Sequence, residues 1–260
     1  SEDILINVTP QETRVAVVEN GVLQEVLIER ARARGLVGNL YKGVVSRVLP
    51  GMQAAFIDIG LERAAFLHAS DILAREVEGL SPEGRRTETI SQLLREGQEL
   101  LVQVIKDPLG TKGARLTTHI TIPSRYLVFM PDAVNVGVSQ KIEGEAERTR
   151  LKETVLRHGN GEAQGFIVRT AAEGVADEAL IADMEFLRKL WTSVRERAQS
   201  AAPGGIVHED LPLALRVLRD LVSDEIDKVR IDSRETFQRV SQFAQDFIPE
   251  VCERLEYYPG

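Results

Sequence analysis

Three aromatic residues, Tyr41, Phe56 and Phe66, share the stretch between residues 36 and 120 with the cations Lys42, Arg47, Lys106, Lys112 and Arg115. Aromatic rings take the faces of unpaired bases at about 1–3 kcal/mol each, and lysine or arginine takes the phosphates between them. The combination points to a single-stranded polynucleotide. Against it stands the ordinary role of phenylalanine in a strand, which is core. In AAFIDIG (54–60) alternation places Ala54, Phe56 and Asp58 on one face and Ala55, Ile57 and Ile59 on the other. Asp58 therefore favours an outward Phe56. In AAFLHAS (64–70) Ala65 and Leu67 flank Phe66, and alternation leaves its direction open.

Two further groups could hold phosphate. The loop KDPLGTKG (106–113) carries Gly110 and Gly113, which would admit a phosphate close to the backbone, and Lys112, which would supply charge. A plain solvent-exposed hairpin loop fits equally. Arg169 and Thr170 end the strand GFIVRT (165–170), and a guanidinium beside a hydroxyl suits a terminal phosphate, unless it is a solvated strand edge. No catalytic centre is legible. Asp224, Glu225 and Asp227 read as a solvated helix end rather than a magnesium cluster, and GxSxG, GxxxxGK[ST] and the dinucleotide fingerprint are all missing. The residues speak for binding rather than catalysis.

Composition sets the frame. With 43% hydrophobic and 28% charged residues the chain reads as soluble and globular, and 260 residues are enough for two or three domains. A net charge of −8 works against non-specific polyanion binding, but a local site needs only a few rings and cations. The lone Cys252, with histidines at 68, 119, 158 and 208, allows neither a disulfide framework nor a paired-cysteine zinc site and fits a reducing cytoplasm. No apolar run approaches the roughly 18 residues of a membrane span. SEDILINVTP has no basic region leading into a hydrophobic core, so no secretory signal is read there.

The elements that must position these groups follow from periodicity. Strands are expected over 3–9, 14–18 and 22–29, with a turn at Glu19-Asn20-Gly21. Five more, near 40–49, 53–59, 64–67, 99–107 and 113–122, suggest a small closed barrel. The polar segment 70–98 reads as short helical turns around a loop. Beyond it come a strand at 125–130, an irregular stretch from 131 to 144, a helix of about 13 residues before Gly159, the strand at 165–170, and a helix over 177–200 that Asp177 could cap. Residues 202–210 read as a linker, 211–222 as a helix, 226–232 as a strand, and 233 onward as a helix opened by Ser233 and interrupted near Pro249. The opening hairpin cannot fold alone and pairs with this last strand-plus-helix set, giving a discontinuous α/β domain with two insertions.

NVTPQETRVAVVENGVLQE, GLVGNLYKGVVSRVLPGMQAAFIDIG, GTKGARLTTHITIPSRYLVFMP and GFIVRTA resemble the bacterial ribonuclease E/ribonuclease G endoribonuclease family over essentially the whole chain. The resemblance implies a discontinuous RNase H-like domain without nuclease activity (1–35 and 211–260). It also implies an S1-like (OB-fold) β-barrel at 36–120 and an α+β 5′-sensor region at 121–210. In it, Phe56 and Phe66 stand at the RNA-contacting rings of the S1 domain and Lys112 at its basic partner; Lys106 and Tyr41 remain RNA-binding candidates on their own chemistry. Arg169 and Thr170 match the pocket for a 5′-monophosphate, Val128 lends a backbone contact, Ser124 stands where a relative has glycine, and Lys141 where relatives have arginine. The family's DNase I-like catalytic domain follows a segment resembling RLEYYPG. Its aspartates bind Mg2+, and a later cysteine pair links subunits through Zn2+. The resemblance thus implies a stretch that binds single-stranded RNA without cutting it and needs no cofactor. It would belong to a cytoplasmic, homo-oligomeric enzyme of rRNA processing and mRNA decay. The alternative is a stand-alone S1-type RNA-binding module.

Overall fold

In chain order the elements are β1 (Glu2–Val8), β2 (Glu12–Glu19), β3 (Val22–Arg30), β4 (Leu40–Leu49), β5 (Ala54–Asp58), β6 (Ala65–His68), α1 (Ile90–Leu93), β7 (Glu99–Lys106), β8 (Arg115–Thr117), β9 (Ile122–Pro123) and β10 (Leu127–Met130). They continue with β11 (Val136–Val138), α2 (Glu145–Arg157), β12 (Gly165–Val168), α3 (Asp177–Ser200), β13 (Ile206–His208), α4 (Leu213–Asp220), β14 (Ile226–Ile231), α5 (Arg234–Phe247) and β15 (Leu255–Tyr257). This computed structural model describes residues 2–72, 89–159, 165–221 and 225–259. The chain divides into two compact units, one of residues 1–35 and 211–260 and one of residues 36–210.

The discontinuous unit is a five-stranded mixed sheet of order β15-β14-β1-β2-β3. Strands β1, β2 and β3 are antiparallel neighbours, while β14 runs parallel to both β1 and β15. Alternation in β1 and β14 turns Ile4, Ile6, Val229 and Ile231 toward α4 and α5, whose Val217, Leu218, Val240 and Ala244 complete one buried core. The β1–β14 pairing is fastened at its end by Asp232, which accepts the Val8 N–H at 2.9 Å and the Asn7 side-chain amide. Ser233 caps α5 by accepting from the Thr236 N–H, and the helix stops at Phe247 before Pro249. On the opposite face Leu5, Ala16 and Val26 form one cross-strand row, and Leu5, Val26 and Ile28 are exposed.

In the continuous unit, β4 pairs with β5 and β7, β5 with β6, β6 in parallel with β8, and β8 with β7, which closes a barrel. Its interior holds Tyr41, Val45, Ile57, Leu67, Val102 and Leu116. A methyl at Gly43 would come within 2.5 Å of the Ile57 side chain, so this inward position of β4 has no room for one. Against the barrel's β4 lies β13, the start of an adjoining α+β layer. There the sheet β11-β12-β10-β9 packs Phe129 and Phe166 against Leu180, Met184 and Leu187 of α3 and Leu151 of α2.

Several segments differ from the sequence expectation, each for a local reason. The strand expected over 113–122 is split into β8 and β9. Between them Thr118 N–H and Thr117 Oγ both donate to the Asp71 carbonyl, and the Gln103 side chain takes up Thr121. The stretch 131–144 contains β11, paired in parallel with β12, and the expected linker 202–210 contains β13. The RLEYY segment supplies the edge strand β15. Ala176, not Asp177, occupies the cap position of α3. Of the segment expected as loop and helical turns, α1 is seen and residues 73–88 lie outside the described residues.

Gly113 seals the barrel where β6 meets β8, and a Cβ there would sit 2.0 Å from the Ala64 carbonyl oxygen. Backbone cannot step aside as a side chain can, so Gly113→Ala is expected to lower unfolding free energy by about 2–3 kcal/mol. Gly51→Ala, with nothing within 4 Å of its Cβ, should be near neutral. Chemical denaturation of both variants checks the contrast.

Candidate nucleic-acid interface

One row of side chains crosses the barrel. Arg47 on β4 pairs with Phe56, Phe56 with Phe66, Phe66 with Arg115, and Arg115 with Lys106 on β7. Residues in register on adjacent strands share a face, so this row sets two rings between cations. The Phe56 and Phe66 ring centroids are 6.4 Å apart at 68°, an edge-to-face pair, and both rings are half-buried. Asp58 is exposed on the same side, in keeping with the outward Phe56 that alternation favoured. Arg47 and Lys106 are exposed, while Arg115 spends part of its charge on Asp71, 2.9 Å away.

Strict alternation would turn both end cations inward, with Val45 and with Val104. A register shift between Val45 and Arg47, and another between Val104 and Lys106, each insert an extra residue. These bulges re-aim Arg47 and Lys106 onto the face of the rings. His68, two residues on from Phe66, joins that face; its Nδ1 accepts the Ser70 N–H at 3.1 Å. Period-two spacing from Phe66 was the signal that could have found it.

Lys112 is exposed at the tip of a tight turn, where its N–H and carbonyl both bond to Leu109. Arg63 donates to the Gly110 carbonyl and fastens that turn. Three expectations fail here. Tyr41 is only 5% exposed: it shares the inward parity of Gly43 and Val45 and belongs to the barrel core. The Lys42 ammonium is held between Glu99 at 3.2 Å and the Ala201 carbonyl at 3.2 Å, away from the rings. Gly113 makes room for the Ala64 backbone, not for a phosphate.

A second cluster forms where β12 ends. The Arg169 N–H donates to the Tyr126 carbonyl at 2.8 Å, and its Nη1 donates to the Ser124 carbonyl at 2.5 Å. Ser124 is buried, and its Oγ donates to Asp183 Oδ2 at 2.5 Å, so the hydroxyl points into the protein. The same carboxylate oxygen accepts the Tyr126 N–H at 3.0 Å. Thr170 is exposed, and its hydroxyl lies 3.0 Å from that of Ser139, which also accepts the Lys141 N–H at 3.3 Å. Val128 sits in β10 between Pro123 and Ile167. Arg169, Thr170, Ser124 and the Ser139–Lys141 turn are therefore brought together.

Sequence reasoning missed the residues that hold this cluster. Asp183 precedes Met184 on the flank of the α3 apolar stripe, and burial raises its carboxyl pKa although Ser124, Tyr126, Leu127 and Arg169 all oppose the shift. Behind Thr170, Arg150 grips Glu147 at 2.7 and 2.8 Å, Asp177 at 2.5 Å and the Val175 carbonyl at 2.9 Å. Glu147 in turn accepts the Gly174 N–H at 2.8 Å. Of the acidic trio near 225, Asp224 lies outside the described residues.

The sequence profile of the Ribonuclease E/G family matches residues 121–260, and that of the S1 RNA binding domain matches residues 36–118. The chain belongs to the ribonuclease E/G family. It is 55% identical to Ribonuclease G of Escherichia coli (strain K12) over 260 residues, which is 99% of this chain and 53% of that protein. Against Ribonuclease G of Haemophilus influenzae the identity is 52%, again over 99% and 53%. Ribonuclease E of Escherichia coli is 36% identical over 99% of this chain and 24% of its own length. The chain thus spans about half the length of the ribonuclease G relatives it matches. The S1 match coincides with the closed barrel and its row of rings.

The clasp behind Thr170 should be acid-sensitive. Hydrogen bonds from Arg150 and Gly174 lower the Glu147 carboxyl from an ordinary 4.5 to about 2. A depressed carboxylate contributes stability that is present in full above pH 4.5 and lost as pH falls toward 2. Glu147→Gln should therefore lower stability at neutral pH and flatten the fall of stability between those limits. Thermal melts of the two proteins from pH 7 to pH 2.5 read this directly.

Proposed function

We propose that these 260 residues are the RNA-binding and 5′-monophosphate-sensing part of a single-strand-specific endoribonuclease acting in rRNA processing and mRNA decay. The observation that carries the reading is the row Arg47–Phe56–Phe66–Arg115–Lys106 across an S1-type barrel. Unpaired bases would stack on the two rings while phosphates meet Arg47, Lys106 and Lys112. A duplex keeps its base faces covered by stacking within the helix, which is the physical ground for single-strand preference.

The cluster at Arg169, Thr170, Ser124, Val128 and Lys141 is read as the 5′ pocket. Arg169 would supply a charge-assisted bond, Thr170 a hydroxyl donor and Lys141 a point charge, the set that a terminal phosphate uses and a terminal hydroxyl does not. The mixed sheet β15-β14-β1-β2-β3, with helices α4 and α5 on one face, supports the RNase H-like reading of residues 1–35 and 211–260. Residues 121–210, a four-stranded sheet with α2 and α3, are read as the sensor domain.

Among the described residues no group of three or more His, Cys, Asp or Glu is placed to hold a metal ion. The proposal places hydrolysis, the family's Mg2+, and the Zn2+ that links subunits in the half of the family's proteins that this chain does not span. No helix among the described residues is long and apolar enough to cross a membrane. The full-length protein is proposed to be a cytoplasmic homo-oligomer on the family resemblance alone.

Binding of short oligoribonucleotides, with 5′-monophosphate and with 5′-hydroxyl ends, tests both sites. Phe56→Ala and Phe66→Ala should each weaken binding of either RNA roughly tenfold. Lys112→Ala should reduce the slope of log affinity against log salt by about 1. Undiminished affinity in both phenylalanine variants would remove the barrel face as the binding surface. Binding that ignores the 5′ end would return the chain to a plain S1-type module.

A further inference from the structure

We propose that Asp183 is the positioning residue of the 5′ pocket, holding Ser124 and, through Ser124, the Arg169 guanidinium in the geometry that receives a terminal phosphate. This rests on the 5′-monophosphate reading above. In this reading Asp183 acts through Ser124 and Tyr126 and does not meet the phosphate itself. One of its oxygens accepts the Ser124 hydroxyl at 2.5 Å and the Tyr126 N–H at 3.0 Å, which fixes the turn between β9 and β10. The carbonyl of that same Ser124 is the acceptor for Arg169 Nη1 at 2.5 Å, and the Tyr126 carbonyl takes the Arg169 N–H at 2.8 Å. Both main-chain groups that orient Arg169 therefore belong to residues gripped by one carboxylate. The carboxylate stands on α3, whose neighbouring Leu180, Met184 and Leu187 are fully buried in the core, so the reference point is rigid.

A carboxylate is the group this junction requires. Ser124 Oγ–H, Tyr126 N–H and Leu127 N–H all donate toward it, and an acceptor with two oxygens meets them without conflict. Asparagine has the same size but offers one oxygen, with two lone pairs, to the three donors Ser124, Tyr126 and Leu127. Charge separates positioning from simple electrostatics. Asp183 lies close enough to Arg169 to attract it, and a negative charge there repels an incoming phosphate. If only charge counted, Asp183→Asn would tighten binding of the phosphorylated end. If position counts, the same change weakens it.

The experiment measures affinity of the 260-residue chain for one oligoribonucleotide carrying a 5′-monophosphate or a 5′-hydroxyl. The parent should prefer the phosphate, and Asp183→Asn should cut that preference about tenfold while leaving affinity for the hydroxyl end unchanged. Arg169→Ala should abolish the preference, and adding Asp183→Asn to it should change nothing further, because the two act as one unit. A preference in Asp183→Asn equal to or above that of the parent overturns the proposal and leaves the 5′-pocket reading intact, as does an additive double variant. A parent without any preference overturns both. Should Asp183→Asn fail to fold by circular dichroism, Ser124→Ala decides: it removes the hydroxyl tether to Asp183 together with the 3.1 Å contact to the Leu127 carbonyl, and an unchanged preference overturns the proposal.

Discussion

Strand β4 is shared by two cores, and everything between residues 36 and 210 depends on it. Leu40 packs with Phe129 and Val207 in the α+β layer, while Tyr41 and Val45 lie in the barrel. The same strand hydrogen-bonds to β5, β7 and β13. A ten-residue strand that closes a small barrel must bend, and the register shift after Val45 supplies the bend. The same extra residue turns Arg47 outward. The cation at one end of the ring row is a by-product of barrel closure, so the outward direction of Arg47 is set by the fold that carries it.

The outline of that barrel was legible in the sequence because its strands are long enough for alternation to show and are separated by Gly and Pro. The direction of Phe56 was legible too, through Asp58. Alternation assumes unbroken register, however, and the two bulges that expose Arg47 and Lys106 leave no mark in residue type. Tyr41 misled for the opposite reason: an aromatic next to Lys42 looks like a contact pair, but its parity with Gly43 and Val45 puts it inside. Three-residue strands such as β11, β13 and β15 are too short to show a period, and only their partners define them. Asp183 was illegible because its role comes from a turn 59 residues away. Membership of the ribonuclease E/G family, by contrast, stood in the long blocks around the rings and GFIVRTA, and the family match over residues 121–260 bears it out.

The two candidate sites are built on opposite principles. On the barrel, half-buried rings and exposed cations offer surface that water already covers, and little of it is tied to other groups. Around Arg169, nearly every polar atom is already spoken for: Ser124, Tyr126 and Asp183 bond to one another, and Thr170 meets Ser139. A loosely tied face tolerates many base sequences, whereas a pre-formed network recognises one chemical group in one place. A binding surface for the body of a chain and a sensor for its end would be expected to differ in this way.

The parallel pairing of β1 with β14 also sets an order on the making of the protein. As the chain emerges from the ribosome, β1–β3 appear before the rest of their sheet, and Ile4 and Ile6 find their core only when β14, α4 and α5 arrive. At bacterial rates of roughly 5–20 residues per second, the hairpin waits about 10–40 s for its partner strand. Residues 36–210 have their own cores and can collapse within that interval. The discontinuous sheet therefore closes only after residues 36–210 have been made, and until it does β1–β3 are an open edge exposed to any other nascent chain.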